Sequence, residues 1–296
     1  GMGGSALAAL LGTVWPGYAV PFEIVRGYEI PSYVDEKTLF IACSYSGNTE
    51  ETLSALAEAG RTKATIVVIA GGGKLQEVAE KKKYLFVQLP KAEQPRYAVL
   101  YNLAALVQIL QDSNVLQTKV TAKELKNTAA FLEKSAQNWL PVVATNKNPA
   151  KKLALEMAGK SLAIYAGPVL GPAAYKWKIS ANENAKNVAW AGFYPEFNHN
   201  EFIGWSSHPV HKPYLVVDLI SSFDHPRIQK RFKLSAKLLS GKRPEPHVIK
   251  AEGKTVLEQL LWTVLFGDFA TLYLGLLNGL NPAPVELVER LKKELG

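Results

Sequence analysis

The chain is poor in the residues that build metal, redox and disulfide chemistry. Its 296 residues include one cysteine, two methionines and five histidines. The lone thiol, Cys43, excludes an intramolecular disulfide and a zinc site built on several thiolates. It fits a reducing cytoplasm, which is where the protein is expected. No charged-then-apolar leader opens the sequence, so no secretory signal is expected. Charged residues are scarce, at 20%, yet hydrophobic residues make up 48%, a composition neither disordered nor fibrous. The longest apolar stretch, residues 256–280, carries Glu258, Gln259 and Asp268 too deep for a bilayer span. A buried core or subunit-interface helix is predicted there, and no membrane partner.

Lys and Arg outnumber Asp and Glu, 34 to 26, giving a formal charge of +8. Lys81–Lys83 follow a polar helical stretch. Residues 227–243 space basic side chains between Ile228, Phe232, Leu234, Leu238 and Leu239, which predicts an amphipathic helix with a solvated basic face. Neither segment interleaves aromatics with charge or offers a reading helix, so no nucleic-acid partner is expected.

The length suits two domains of moderate size. In the first half, strand runs at 39–43, 65–70 and 84–89 alternate with helical spacing at 49–59 and 75–81. That order predicts an α/β fold with a parallel sheet and helices on both faces. Long helical stretches at 98–110 and 121–138 follow, and the pattern then restarts with a strand at 161–166 and a helix reaching Asn184. Further extended runs lie at 188–190 and 214–220. The predicted organisation is a first domain over 1–120, a linking helix over 121–140 and a second domain over 141–296.

The most informative segment is Ser44-Tyr45-Ser46-Gly47-Asn48-Thr49-Glu50-Glu51-Thr52. It lies between the carboxyl end of a buried strand and the amino end of a helix, the edge where open parallel sheets bind ligands. A helix start offers unpaired N–H groups and partial positive charge to a phosphate. Ser44, Ser46 and Thr49 add three hydroxyls, and Gly47 lets the backbone approach closely. An ordinary N-cap needs one hydroxyl; three around a glycine make a monoester cradle without the lysine of a nucleotide loop. Gly71-Gly72-Gly73-Lys74 lacks the spacing of such a loop and reads as a tight turn. The opening Gly1-Met2-Gly3-Gly4-Ser5-Ala6 matches G-x-G-x-x-A, but Glu23 and Glu29 only loosely flank the position of a ribose-binding acid. It is either a dinucleotide turn or a close-approach turn of Gly3, Gly4 and Ser5 facing the same ligand as the cradle. His199, His208 and His211 fit no helical ligand pair, so no metal is expected.

Gly1–Ser5 followed by Ser44–Thr52 resembles the sugar isomerase (SIS) domain. Three later segments, Gln94-Pro95-Arg96-Tyr97, Asn182-Glu183-Asn184-Ala185-Lys186 and Asn198-His199-Asn200-Glu201, narrow the resemblance to the bifunctional phosphoglucose/phosphomannose isomerases over nearly the whole chain. The resemblance implies two SIS-like domains, each a parallel-sheet three-layer α/β sandwich. It implies interconversion of glucose 6-phosphate, or mannose 6-phosphate, with fructose 6-phosphate through a cis-enediolate. Glu183 would move the proton between C2 and C1, a task suited to a carboxylate tuned by partial burial. Arg96 would face the enediolate charge. His199 and Lys292, the lysine assigned by counting back from the chain end with Lys293 beside it, would open the sugar ring. The resemblance further implies a homodimer with His199 donated by the partner, and neither cofactor nor metal. The alternatives are a SIS enzyme acting on an amino-sugar or pentose phosphate, and a non-catalytic sugar-phosphate sensor, which needs only the cradle. Because a helix and a strand precede the Gly-Gly-Ser loop in the family, the first strand is expected to be missing here and Gly1–Ser5 to be loosely held.

Overall fold

The computed structural model describes residues 1–207 and 213–295. The chain divides into two compact units, Gly1–Val120 and Thr121–Gly296. Both are parallel-sheet α/β sandwiches.

The first unit runs α1 (Gly3–Gly12), β1 (Leu39–Ser44), α2 (Glu50–Ala59), β2 (Thr65–Ala70), α3 (Gly73–Lys82), β3 (Leu85–Gln88) and α4 (Val99–Asp112). Its sheet has the order β1-β2-β3, with Leu39 opposite Thr65 and Ser44 opposite Ala70. The β-branched run of β2 is buried on both faces, as a central parallel strand requires. Alternate residues divide between two cores. Ile66, Val68 and Ala70 pack with Leu56 and Ala59 of α2 and Leu75 and Ala79 of α3. Val67 and Ile69 pack with Leu106, Ile109 and Leu110 of α4. Among the described residues β1 is hydrogen-bonded to a strand on one side only. A cavity of about 780 Å³ lies against it, lined by Leu39 and Ile41, by Ala6 and Ala9 of α1, and by Phe22 and Leu106.

The amino terminus departs from expectation. Gly3, Gly4 and Ser5 are not a loop but the first turn of α1, closed by Ser5 and Ala6 N–H groups donating to the Met2 carbonyl at 3.0 and 3.2 Å. The Gly1 amine donates to Val25 O at 3.0 Å, and burial holds its pKa below the usual value.

The second unit contains α5 (Ala122–Ala136), α6 (Pro149–Met157), β4 (Ser161–Ala166), α7 (Gly171–Ala185), β5 (Ala189–Phe193), α8 (Glu201–Gly204), β6 (Tyr214–Ile220), α9 (Pro226–Leu238), β7 (His247–Lys250), α10 (Val256–Leu277) and α11 (Glu286–Leu295). All four strands are parallel in the order β5-β4-β6-β7. One face carries Ala163, Tyr165 and Val216 against Ile228 and Phe232 of α9. Helix α10 is apolar around its circumference because α5, α6 and α7 all pack on it. By length and composition it could cross a membrane, yet most of it is buried inside the unit.

The basic segment at 227–243 also departs from expectation. Helix α9 ends at Leu238, and Leu234 and Leu238 face outward at 45% and 58% exposure. Arg243 is buried rather than solvated. Its guanidinium lies 5.6–5.9 Å from the centroids of Tyr165, Phe197 and Trp205, and 4.0 Å from the Asp218 carboxylate. Aromatic faces and one carboxylate replace the water that the charge would otherwise demand.

Candidate active site

In the first unit the hydroxyl cluster sits where β1 ends and α2 begins. Ser44, buried at the last strand position, shares a 2.7 Å hydrogen bond with the Thr49 hydroxyl. Ser46 Oγ lies 3.5 Å from Ser44 Oγ and accepts from the Asn48 N–H at 3.3 Å. Thr49 occupies the N-cap position of α2, yet its hydroxyl makes no capping bond. Its turn toward Ser44 leaves the first-turn N–H groups of the helix to other acceptors. Three hydroxyls and a helix start thus converge, an arrangement suited to a phosphate monoester.

Gly47 makes the cradle possible. Its φ of +70° is left-handed, and a β-carbon there would overlap the Gly72 carbonyl. The turn at Gly72 and Gly73 therefore packs directly behind the cradle. Asn48 Oδ1 accepts from the Lys74 N–H at 3.0 Å and the Gly47 carbonyl from the Leu75 N–H at 2.9 Å, tying the cradle to α3. Sequence reasoning read the glycine run as a tight turn and missed that it buttresses the site. Asn48 was visible in the motif but had no role.

The residues around the cradle are held by close backbone approach. Ser5 Oγ accepts from the Tyr45 N–H at 2.9 Å. A β-carbon on Gly4 would meet Pro95 and Arg96 backbone atoms at 3.1–3.2 Å, so the helix start abuts the 3₁₀ turn Pro95–Tyr97. Arg96 on that turn is 2% exposed, with its guanidinium 3.5 Å from Gln94 Oε1, 3.4 Å from the Tyr97 hydroxyl, and over the Tyr97 ring. Asn102 Nδ2 donates to the Ser5 carbonyl at 3.2 Å and contacts Cys43. Nothing in the sequence marks that buried asparagine, which lies in an apolar helix. Burial pushes the Cys43 thiol up to about 11, which favours the neutral thiol over the thiolate.

In the second unit Glu183 is half-buried in the last turn of α7. His199 is exposed at the end of a 3₁₀ turn, Glu196–His199, that is anchored by the buried Phe197. Helix α7 runs back from the carboxyl edge of the sheet, and β5 then crosses it before the turn begins. Glu183 therefore lies by the amino edge and His199 beyond the carboxyl edge, a strand length of roughly 16 Å apart. One copy of the chain does not bring them together. Lys292 is exposed on α11, paired with Glu289 at 2.8 Å. His208 and His211 lie outside the described residues. Among the described residues no group of three or more His, Cys, Asp or Glu side chains could hold a metal ion.

A family profile described as the bacterial phospho-glucose isomerase C-terminal SIS domain matches residues 146–295. A bifunctional phosphoglucose/phosphomannose isomerase of Caldicellulosiruptor bescii is 34% identical over 300 residues, covering 100% of this chain and 88% of the relative. A D-glucosamine-6-phosphate 4-epimerase of Sulfolobus acidocaldarius is 36% identical over 191 residues, 64% of this chain and 57% of that protein. A solved structure of a glucose-6-phosphate isomerase-like protein from Thermus thermophilus has the same fold, with a TM-score of 0.57 at 19% identity over 97% of this chain and 93% of that one. The profile match, over half of the chain, places the molecule in the SIS class. Within that class, the chain belongs to the bifunctional phosphoglucose/phosphomannose isomerase family.

Proposed function

We propose that this protein is an aldose–ketose isomerase that interconverts glucose 6-phosphate and mannose 6-phosphate with fructose 6-phosphate. The observation that carries the reading is the Thr49 hydroxyl, which sits at the cap position of α2, makes no capping bond, and joins Ser44 beside the helix start. Ser44, Ser46, Gly47 and Thr49 take the phosphate. Gly3, Gly4 and Ser5 support the adjoining wall. His199 and Lys292 move the ring-oxygen proton, giving the open-chain aldose. Glu183 then removes the C2 proton, leaving an enediolate whose charge Arg96 faces, and returns the proton to C1 to give the ketose. No electrons leave the substrate: one proton leaves C2 and one is delivered to C1, so Glu183 ends the cycle as a carboxylate, and while it carries the proton it can exchange it with water.

The protein acts as a homodimer in which His199 comes from the partner. The opposite placement of Glu183 and His199 about β5 supports this, because two copies can join what one copy separates. Its setting is the carbohydrate metabolism of the cytoplasm, where the lone thiol stays reduced. The epimerase relative supports a second reading, a SIS enzyme acting on an amino-sugar phosphate.

A coupled assay offering glucose 6-phosphate, mannose 6-phosphate and glucosamine 6-phosphate separates the two. Fructose 6-phosphate formed from the first two sugars supports the isomerase. Turnover of the third alone supports the second reading.

A further inference from the structure

The segment Asn182–Lys186 holds more than one residue of chemical interest, and the function proposed above uses only Glu183. Asn184 and Lys186 have distinct surroundings. Lys176, Ser180 and Asn184 recur every four residues on one buried face of α7, which packs against α10. Lys176 is ion-paired with Asp268, which also accepts from Ser180 Oγ at 2.7 Å. Asn184 Nδ2 donates to Thr271 Oγ1 at 3.1 Å, and Asn278 Nδ2 donates to the Ala185 carbonyl at 3.0 Å. The helices meet at Gly267 and Gly275. A β-carbon at the first would overlap the Trp177 ring, and one at the second would lie 2.5 Å from Asn184 O. Sliding α7 along α10 would break every one of these contacts.

Lys186 closes the end of this seam. It holds a left-handed φ of 50° just past the last residue of α7, a position where glycine is the usual choice. Its ammonium donates to Glu183 O at 2.9 Å, Asn281 O at 2.9 Å and Pro282 O at 3.3 Å. Three N–H donors thus meet three carbonyls, one of them belonging to Glu183 itself. Lysine in a strained glycine position is explained by what its side chain does there.

We propose that Lys186 is a positioning residue for Glu183: its ammonium ties the Glu183 backbone to the segment after α10 and so fixes where the carboxylate reaches the substrate. The proposal rests on the reading of Glu183 as the base. Lys83 supplies an internal control, since it also ends a helix at positive φ, 57°, but carries no such clamp among the hydrogen bonds of the described residues.

The test measures kcat, KM and Tm of the full chain and of Lys186→Gly, Lys83→Gly and Glu183→Gln with glucose 6-phosphate. Glycine suits the backbone at 186, so Tm of Lys186→Gly should hold or rise. KM should stay within about twofold and kcat should fall about tenfold to hundredfold, the usual result of a slightly misplaced reactive group. Lys83→Gly should match wild type. A Lys186→Gly kcat within about twofold of wild type overturns the proposal. So does a raised KM at constant kcat, which would make Lys186 a substrate-binding group. A Tm loss that unfolds Lys186→Gly at the assay temperature overturns it too, because Lys186 would then hold the fold. If Glu183→Gln is inactive while Lys186→Gly is fully active, positioning alone fails. If Glu183→Gln keeps its rate, the base assignment fails as well.

Discussion

The start of α2 and the end of α7 are both helix termini, but they are built in opposite ways. The α2 terminus takes its hydroxyls, helix-start N–H groups and left-handed glycine from nine consecutive residues, Ser44–Thr52, with residues 72–75 packed behind them. The α7 terminus is set by contacts 87–96 residues distant in sequence, from Asn184 to Thr271, Ala185 to Asn278 and Lys186 to Asn281 and Pro282. The difference fits the tasks proposed for them. A phosphate is large, charged and unchanged by the reaction, so a backbone nest can hold it in ground and transition states alike. A base must place one carboxylate against one C–H bond, which needs a helix locked in register from outside. The first terminus can be read from a motif, and the second depends on the packed core.

Four expected outcomes would break or sharpen that contrast. The largest effect belongs to Glu183→Gln, which keeps the shape but cannot take a proton. Its kcat should fall by about 10²–10⁴ with Tm and inhibitor affinity intact, as steady-state kinetics and a competitive sugar-phosphate analogue would show. Next is Gly47→Ala, which adds left-handed strain of about 1–2 kcal/mol and drives a methyl into the Gly72 carbonyl. Urea unfolding should register the loss, and phosphate-analogue binding should weaken with it.

Ser46→Ala removes one hydroxyl from the proposed phosphate cradle, worth about 1.5–3 kcal/mol for a charged partner, so KM should rise roughly tenfold to hundredfold with kcat nearly constant. Unchanged affinity for a competitive analogue would remove Ser46 from the cradle. The smallest effect lies in the core of the second unit. Burial, opposed by the Arg243 charge, raises the Asp218 pKa to about 6 from 3.8. The folded chain then holds that proton more tightly than the unfolded chain does. This contribution to stability is complete below pH ~4 and is lost as pH rises through ~6. Urea midpoints between pH 4 and 7 should follow that slope in the wild type, and Asp218→Asn should flatten it.

Much of the scaffold was legible because burial imposes patterns on it. The run 65–70 is β2 residue for residue, since a strand covered on both faces has no room for polar alternation. The stretch 256–280 was read as core from its interior acids, and Val256–Leu277 is a buried helix. What escaped depends on distant partners. Strand β7, four residues with a half-buried pattern, gave no periodic signal. Gly3–Ser5 looked like a loop from the G-x-G-x-x-A pattern and the SIS resemblance, whereas the approach of Gly4 to Pro95 and Arg96 requires a bare helix start. Arg243 looked solvated because the aromatic rings around it come from Tyr165, Phe197 and Trp205, far earlier in the chain. The hydroxyl cluster of Ser44, Ser46 and Thr49 was visible in the motif, but Lys176, Ser180 and Asn184 could not be told from a polar surface stripe without α10 opposite them.

The most direct test is the fate of the C2 proton. Glucose 6-phosphate is incubated in deuterated water with the wild-type chain and with Glu183→Gln, and deuterium at C2 of the recovered glucose 6-phosphate and at C1 of the fructose 6-phosphate formed is followed by NMR. Removal and return of the proton by Glu183 predicts exchange in the wild type and none above background in the variant. Equal exchange in both, or isomerisation with full rate in the variant, would contradict the account.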